Sequence, residues 1–224
     1  MKMIGEDFMS VISKTTIKEQ LYDELKQRIL GQKYLAGDKL VIDSLARELA
    51  VSNTPIREAL SMLESDGLVV TTPNSGIRVV EMNAASFHEV SQAVYVLLAG
   101  GYELCRQLGL ERQLVEIMQD RLARQLRLQE KGYSVKFLQA AIAFDKSFID
   151  VSGNSRLATM FDRQAEVFFL AVVGRNRDDK QVGENTREHW TMLEAVKKRD
   201  ASEVKAVLAR HYQRGLESAL PPGR

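Results

Sequence analysis

Cysteine is nearly absent from this sequence, since Cys105 is the only one in 224 residues. A single thiol excludes an internal disulfide framework, so a buried apolar core must stabilise the fold. Long apolar runs are also missing: no stretch reaches the roughly 20 residues that cross a membrane, and residues 1–16 hold no signal-peptide core. We therefore expect a reducing, cytoplasmic location and no membrane partner.

The sequence has little excess charge of either sign, with a formal net charge of +1. Residues 1–82 carry ten Lys and Arg against twelve Asp and Glu, and the remainder carries 21 against 18. This charge balance argues against strong non-specific binding to DNA, because that affinity comes from neutralised phosphates. The length, with 45% hydrophobic and 27% charged residues, is typical of a globular protein of two domains.

Residues 43–60 contain a pattern of two short helices joined by a tight turn at residues 50–53. The inner face of the first helix carries Leu45, Ala46 and Leu49. For the second helix, we predict Thr54 as the N-cap and Pro55 at the first helical position, where no N–H is needed. Apolar residues then recur at helical spacing: Ile56, Ala59, Leu60 and Leu63. This pattern predicts a helix-turn-helix, whose second helix enters the major groove of DNA.

The flanking residues extend this motif to a winged helix. A helix is predicted over residues 16–30, where apolar residues recur every four positions before Gly31. Gly67 ends the second helix of the motif. Two β-prone runs, 68–71 and 77–80, then surround the turn-forming residues 72–76, which predicts a hairpin.

The ordered set of motifs resembles the DNA-binding domain of the GntR family of bacterial transcription regulators. The motifs are Ala36-Gly37-Asp38-Lys39-Leu40, then Val51-Ser52-Asn53-Thr54-Pro55-Ile56-Arg57-Glu58-Ala59-Leu60, then Asp66-Gly67-Leu68. Asn53 and Ser75 depart from the family, which usually has Arg at the first position and often at the second. The resemblance implies a homodimer that binds double-stranded DNA at a palindromic operator.

The candidate DNA contacts lie at the start of the second helix, on the first helix and around the wing. They are Lys39, Arg47, Ser52, Asn53, Thr54, Pro55, Arg57, Asn74, Ser75, Gly76 and Arg78. Arg57 lies in the first turn of the predicted recognition helix, where a guanidinium would read a guanine edge or bind a phosphate. The alternative for Arg57 is a surface ion pair with Glu58 or Glu64.

The remainder of the chain shows only helical periods. Helices are predicted at about 84–107, 110–131, 134–151, 154–174, 181–198 and 201–219. Six helices with short connections predict an antiparallel bundle, so the fold class is mainly α. The expected organisation is a mobile arm (1–14), a winged helix (15–82) and an all-helical domain (83–224).

This second part resembles the FCD domain of the FadR subfamily, a helical module for effector binding and dimerisation. The matching residues are Phe144-Asp145, Val151-Ser152-Gly153-Asn154-Ser155-Arg156-Leu157, Glu188-His189, Leu193-Glu194-Ala195-Val196, Asp200 and His211. The resemblance implies a small-molecule effector, commonly a small carboxylate.

Three polar residues, Asp145, His189 and His211, lie on apolar faces of three separate predicted helices. A buried carboxylate must be hydrogen-bonded, paired or metal-bound, and two imidazoles with one carboxylate can hold a divalent ion such as zinc. The resemblance implies a site made of an Asp, a His four residues later and two further His. Here Ala141 takes the Asp position and Asp145 takes the first His position, so one ligand is lost and one is changed.

Two interpretations of these three residues remain open. They form a metal or effector site, or the histidines are hydrogen-bonded core residues and Asp145 pairs with one of them. The leading function is a ligand-responsive DNA-binding regulator, a repressor rather than an activator. The alternatives are a metal-dependent enzyme in the helical domain and a regulator whose helical domain only dimerises.

Overall fold

The computed structural model describes residues 15–73, 75–173 and 179–217, except for the side chains of residues 179 and 213–217. The chain divides into two compact units between Val79 and Val80. The prediction of a mainly α fold with an N-terminal winged helix and a C-terminal helical bundle is confirmed. In the part of the chain so described, no helix is long and apolar enough to cross a membrane.

From residue 15 onward, the described part of the first unit contains three helices and a three-stranded antiparallel sheet. Its elements are α1 (Ile17–Leu30), β1 (Lys39–Leu40), α2 (Ile42–Leu49), α3 (Asn53–Ser65), β2 (Val69–Thr72) and β3 (Gly76–Val79). Helix α1 begins with a capping box in which Thr16 and Glu19 satisfy each other's backbone N–H groups. Helix α3 packs on both α1 and α2. Its buried residues are Ile56, Ala59, Leu60 and Leu63, which confirms the apolar face predicted for it.

The predicted start of the second motif helix was wrong by two residues. Helix α3 begins at Asn53, and its N-cap is Ser52 rather than Thr54. Pro55 therefore occupies the third helical position. A proline is tolerated there because the N–H groups of a first helical turn have no intrahelical acceptor. The preceding turn depends instead on Ala50, whose left-handed conformation (φ 55°) ends α2.

Strand β1 was missed, because two residues carry no recognisable period. It pairs with β3, with Lys39 opposite Arg78 and Leu40 opposite Ile77. Strand β3 also pairs with β2, which confirms the predicted hairpin and gives the sheet order β1-β3-β2. The sheet thus links the second strand of the wing to the segment before α2.

In the residues described for it, the second unit is a bundle of seven helices. They are α4 (Ala84–Gln107), α5 (Glu111–Gln129), α6 (Val135–Asp145), α7 (Ser147–Ser152), α8 (Ser155–Val173), α9 (Asp179–Lys197) and α10 (Ala201–Glu217). Helix α4 packs on α7, α8 and α10, while α5 packs on α6 and α9. The apolar core between them includes Leu98, Met118, Phe144, Phe148 and Leu208.

The single helix predicted over 134–151 is two helices, broken at Lys146. Arg121 of α5 donates from Nη1 to the carbonyl oxygen of Ala143 at 2.7 Å, and from Nη2 to Asp150 at 2.6 Å. A cation from a neighbouring helix thus satisfies a carbonyl at the end of α6 and ties α7 to α5. The break follows directly after Asp145, which is buried as the last residue of α6.

Candidate functional site

Four of the residues predicted to contact DNA are exposed at the N-terminal end of α3, from the N-cap Ser52 to Arg57. Ser52, Asn53, Thr54 and Arg57 are all exposed, whereas Pro55 is half-buried. Within the described ranges, Arg57 forms no ion pair, so the alternative pairing with Glu58 or Glu64 does not occur there. The guanidinium and the N-terminal amides of the helix can therefore bind phosphate oxygens or base edges.

The remaining predicted DNA contacts lie on α2 and the sheet. Arg47 is exposed on α2, where its Nε donates to the Asp43 carbonyl oxygen at 3.2 Å. Arg78 is half-buried and donates to the Gly37 carbonyl oxygen at 2.8 Å, which gives it a structural contact. Asn74 lies outside the described residues, and Ser75 is half-buried at the hairpin turn.

Gly76 and Lys39 lie against each other in the wing. Gly76 has a φ of +79°, and a Cβ added to it would lie 3.3 Å from Cε of Lys39. Any other residue would therefore be strained at this position and crowd the lysine. The exposed Lys39 amine is thus held beside the turn of the hairpin.

Asp43 is a residue of the helix-turn-helix that sequence analysis missed. Its Oδ1 accepts a hydrogen bond of 2.8 Å from Nδ2 of Asn53, at the position where the family usually has Arg. Since Nδ2 donates to Asp43, the side-chain oxygen Oδ1 is the acceptor that remains on the Asn53 amide. The sequence shows only that a carboxylate precedes Asn53 by ten residues. Since the two residues lie on different helices, no helical spacing predicts that they meet.

In the second unit, the structure brings together Asp145, His189 and His211. One ligand atom from each lies within 4.8 Å of the others. Nε2 of His189 lies 3.4 Å from Asp145 Oδ1, and Nε2 of His211 lies 3.8 Å from Oδ2 of the same carboxylate. Helices α6, α9 and α10 each supply one of these side chains. His189 is fully buried and Asp145 is 3% exposed.

Each of the three side chains has a further hydrogen-bond partner on its outer side. Nδ1 of His189 lies 2.7 Å from Oε1 of Gln125, and Nδ1 of His211 lies 2.7 Å from Oε2 of Glu188. The hydroxyl of Tyr212 donates to Oδ2 of Asp145 at 2.8 Å. These outer contacts leave Nε2 of both rings facing the Asp145 carboxylate, His189 toward Oδ1 and His211 toward Oδ2. Outer partners orient the ligands of metal sites in the same way.

Burial dominates the electrostatics of this cluster. It raises the pKa of Asp145 to about 6, although His211 and the Tyr212 hydroxyl act in the opposite direction. Burial, together with the nearby Asp145 charge, also raises the pKa of Tyr212, so its hydroxyl stays a donor. Phe144 stacks on the His189 ring with centroids 4.3 Å apart and fixes the plane of that imidazole.

The three side chains fit a divalent ion. Oδ1 of Asp145 is fully buried and accepts no hydrogen bond from the residues described. Such an atom requires a cation or a proton nearby, because a buried unpaired charge is costly. Two imidazole nitrogens and one carboxylate oxygen suit zinc or a similar metal. Ala141, one turn earlier on α6, is buried and has no ligand atom, so three protein ligands are available.

Known proteins match both units of the chain. Residues 17–79 match "Bacterial regulatory proteins, gntR family", and residues 103–214 match the FCD domain. The chain is 26% identical over 220 residues to the Exu regulon transcriptional regulator of Escherichia coli K12, covering 92% of this chain and 85% of the relative. It is 24% identical over 206 residues to the uncharacterised regulator YdhC of Bacillus subtilis, covering 88% of each.

Two solved structures share the fold of most of this chain. The structure of Escherichia coli McbR/YncC matches with a TM-score of 0.74 at 21% sequence identity, covering 92% of this chain and 98% of that one. A transcriptional regulator from Rhodococcus sp. RHA1 matches with a TM-score of 0.73 at 16% identity, covering 94% and 100%.

Proposed function

We propose that this chain, which belongs to the gntR family of bacterial regulatory proteins and carries an FCD domain, is a ligand-responsive repressor. Members of this family are transcriptional regulators and not enzymes, so we set aside the metal-dependent enzyme. In our proposal, the winged helix of residues 15–82 binds DNA, and residues 83–224 bind an effector and form a homodimer. The convergence of Asp145, His189 and His211 is the observation that carries the effector assignment.

The DNA-binding proposal rests on the exposed N-terminal end of α3, residues 52–57. Arg57 would read a guanine edge or bind a phosphate, while Ser52, Asn53 and Thr54 would contact the adjacent backbone or bases. Lys39, Arg47 and Gly76 would approach phosphates from β1, α2 and the wing, respectively. Since the first 82 residues carry more acidic than basic side chains, sequence-specific contacts must supply most of the affinity.

A two-fold operator follows from a dimeric regulator, because each winged helix reads one half-site. Selection of bound fragments from random double-stranded DNA, with the full-length chain, tests this point directly. We expect an enriched palindrome and a dimer in sedimentation equilibrium of the same protein at micromolar concentration. A monomer that enriches only a single half-site would contradict the dimeric proposal.

The effector site that we propose is the Asp145–His189–His211 cluster holding a divalent ion. When bound, the ion would supply positive charge for an oxygen ligand such as the carboxylate of a small effector. The protein supplies the rest: His189 and His211 present ring nitrogens, Asp145 presents Oδ1, and Tyr212 holds the other carboxylate oxygen. Effector binding regulates DNA affinity only if the ligand prefers one of two states of the protein.

Zinc titration of chelator-treated protein tests this site. A ligand at 100 times its dissociation constant stabilises the folded state by about 2.7 kcal/mol, so zinc should raise the melting temperature of the full chain. The same titration with His189→Ala should give no such rise. If zinc and a panel of small carboxylates both leave the melting temperature of the wild type unchanged, the helical domain only dimerises.

A further inference from the structure

The tautomer of His189 depends on a buried amide that sequence analysis did not single out. Gln125, on α5, is fully buried, and its Oε1 lies 2.7 Å from Nδ1 of His189 on α9. In a neutral imidazole, one ring nitrogen carries the proton and the other carries the lone pair that binds a metal. The orientation of the Gln125 amide therefore decides which nitrogen is available to a cation.

Two neighbours on α9 fix the orientation of that amide. Nε2 of Gln125 donates to Oδ1 of Asn185 at 2.7 Å and to Oγ1 of Thr186 at 3.3 Å. The Thr186 hydroxyl already donates its single hydrogen to the carbonyl oxygen of Val182 at 3.2 Å, so it can only accept from Gln125. The NH₂ group must therefore face Thr186, and the carbonyl oxygen must face His189.

We infer that Gln125 is a positioning residue that keeps the proton of His189 on Nδ1 and thereby leaves Nε2 open to a cation shared with Asp145. The inference rests on the proposed metal site. Nδ1 must donate, because Oε1 can only accept. The lone pair on Nε2 then faces Oδ1 of Asp145 at 3.4 Å, and two acceptors face each other across the position of the ion.

Without the Gln125 acceptor, the neutral His189 ring would be more stable with its proton on Nε2 than on Nδ1. A proton on Nε2 could be donated to Oδ1 of Asp145, which satisfies the buried carboxylate and closes the site. Gln125 thus separates the two interpretations of these residues, an open cation site and a hydrogen-bonded core pair. His211 has a carboxylate, Glu188, in the corresponding outer position, so the neutral amide distinguishes His189.

The test combines ring-nitrogen NMR with zinc affinity. Long-range ¹H–¹⁵N correlation spectra of zinc-free full-length protein, recorded above neutral pH, report which nitrogen of His189 carries the proton. We expect Nδ1–H in the wild type. Competition with a chromophoric chelator measures the zinc affinity of the same samples. For Gln125→Leu we expect a shift toward Nε2–H and an affinity lowered by about 10- to 100-fold, the usual effect of removing an outer partner.

Two further variants separate positioning from packing. Gln125→Glu keeps an acceptor opposite Nδ1 but loses the donor to Asn185, so it should keep Nδ1–H and bind zinc more tightly than Gln125→Leu. Gln119→Leu removes an exposed amide from the same helix and should match the wild type in both measurements. An Nε2–H tautomer in the wild type would overturn the inference without any variant. Equal zinc affinity of wild type and Gln125→Leu would also overturn it, whereas a wild type that binds no zinc refutes the metal site itself.

Discussion

Two consecutive glycines in α4 lie in opposite environments, and they give a sharp test of how α4 packs on α7. A Cβ added to Gly101 would lie 2.8 Å from the carbonyl oxygen of Phe148 and 3.0 Å from Cδ1 of Ile149. A Cβ added to Gly100 would meet nothing within 4 Å. Both residues are interior to the helix, so alanine has the same intrinsic advantage at each position.

The magnitudes follow from these contacts. Gly100→Ala should stabilise the chain by about 0.8–1.0 kcal/mol, the difference in helix propensity. Gly101→Ala has the same gain, but overpacking of a core costs typically about 1–3 kcal/mol. A backbone carbonyl cannot rotate away as a side-chain end can, so α4 and α7 must separate. The stability difference between the two variants should therefore be about 1–3 kcal/mol in favour of Gly100→Ala.

Thermal unfolding of the full chain, followed by the helical circular dichroism signal, measures this difference. For a chain of this size, 1 kcal/mol corresponds to about 2–4 °C, so the melting temperatures should differ by several degrees. Gly183→Ala on α9 is a second control, because a Cβ there also meets nothing within 4 Å. Equal melting temperatures for Gly100→Ala and Gly101→Ala would refute the close approach of α4 and α7.

Three other predictions concern the proposed sites. Arg57→Ala should weaken binding to the selected operator by about 5- to 150-fold in titrations at fixed salt, which is equivalent to about 1–3 kcal/mol. Glu58→Ala is the neighbouring control. An unchanged affinity of the Arg57 variant would exclude the DNA contact that we propose for Arg57. Ala141→Asp should restore a fourth ligand, so it should tighten zinc binding in a chelator competition. Without zinc, the new carboxylate is buried and unpaired, so the melting temperature of the zinc-free variant should fall. If zinc affinity fails to rise, Ala141 does not face the ion. Burial raises the pKa of Asp145 to about 6, so protons compete with zinc for this carboxylate as the pH falls below about 6. The zinc affinity should therefore fall over this range. A zinc affinity that stays constant from pH 7.5 to 5 would contradict ligation by Asp145.

The sequence predicted most of the helices, because the apolar period is a local property. It did not reveal the break at Lys146, since apolar residues continue at helical spacing on both sides of it. At the break, Arg121 donates a hydrogen bond to the Ala143 carbonyl oxygen from another helix, and this contact has no local signal in the sequence. The two-residue strand β1 was missed for a similar reason. It is a strand only because it pairs with β3, about 40 residues away in the sequence.

The same distinction between local and distant information applies to the candidate site. Helical periodicity in the sequence shows where a charged or polar residue lies on an apolar face. Because such a residue must have a partner when it is buried, Asp145, His189 and His211 could be predicted as one set. The partner itself leaves no local signal: Gln125 lies 64 positions from His189, and Tyr212 lies 67 positions from Asp145. Yet these outer contacts decide where the ring proton lies and which carboxylate oxygen is free. A ligand set can therefore be proposed from sequence periodicity, whereas its protonation, and hence its capacity to hold a cation, follows only from the three-dimensional contacts.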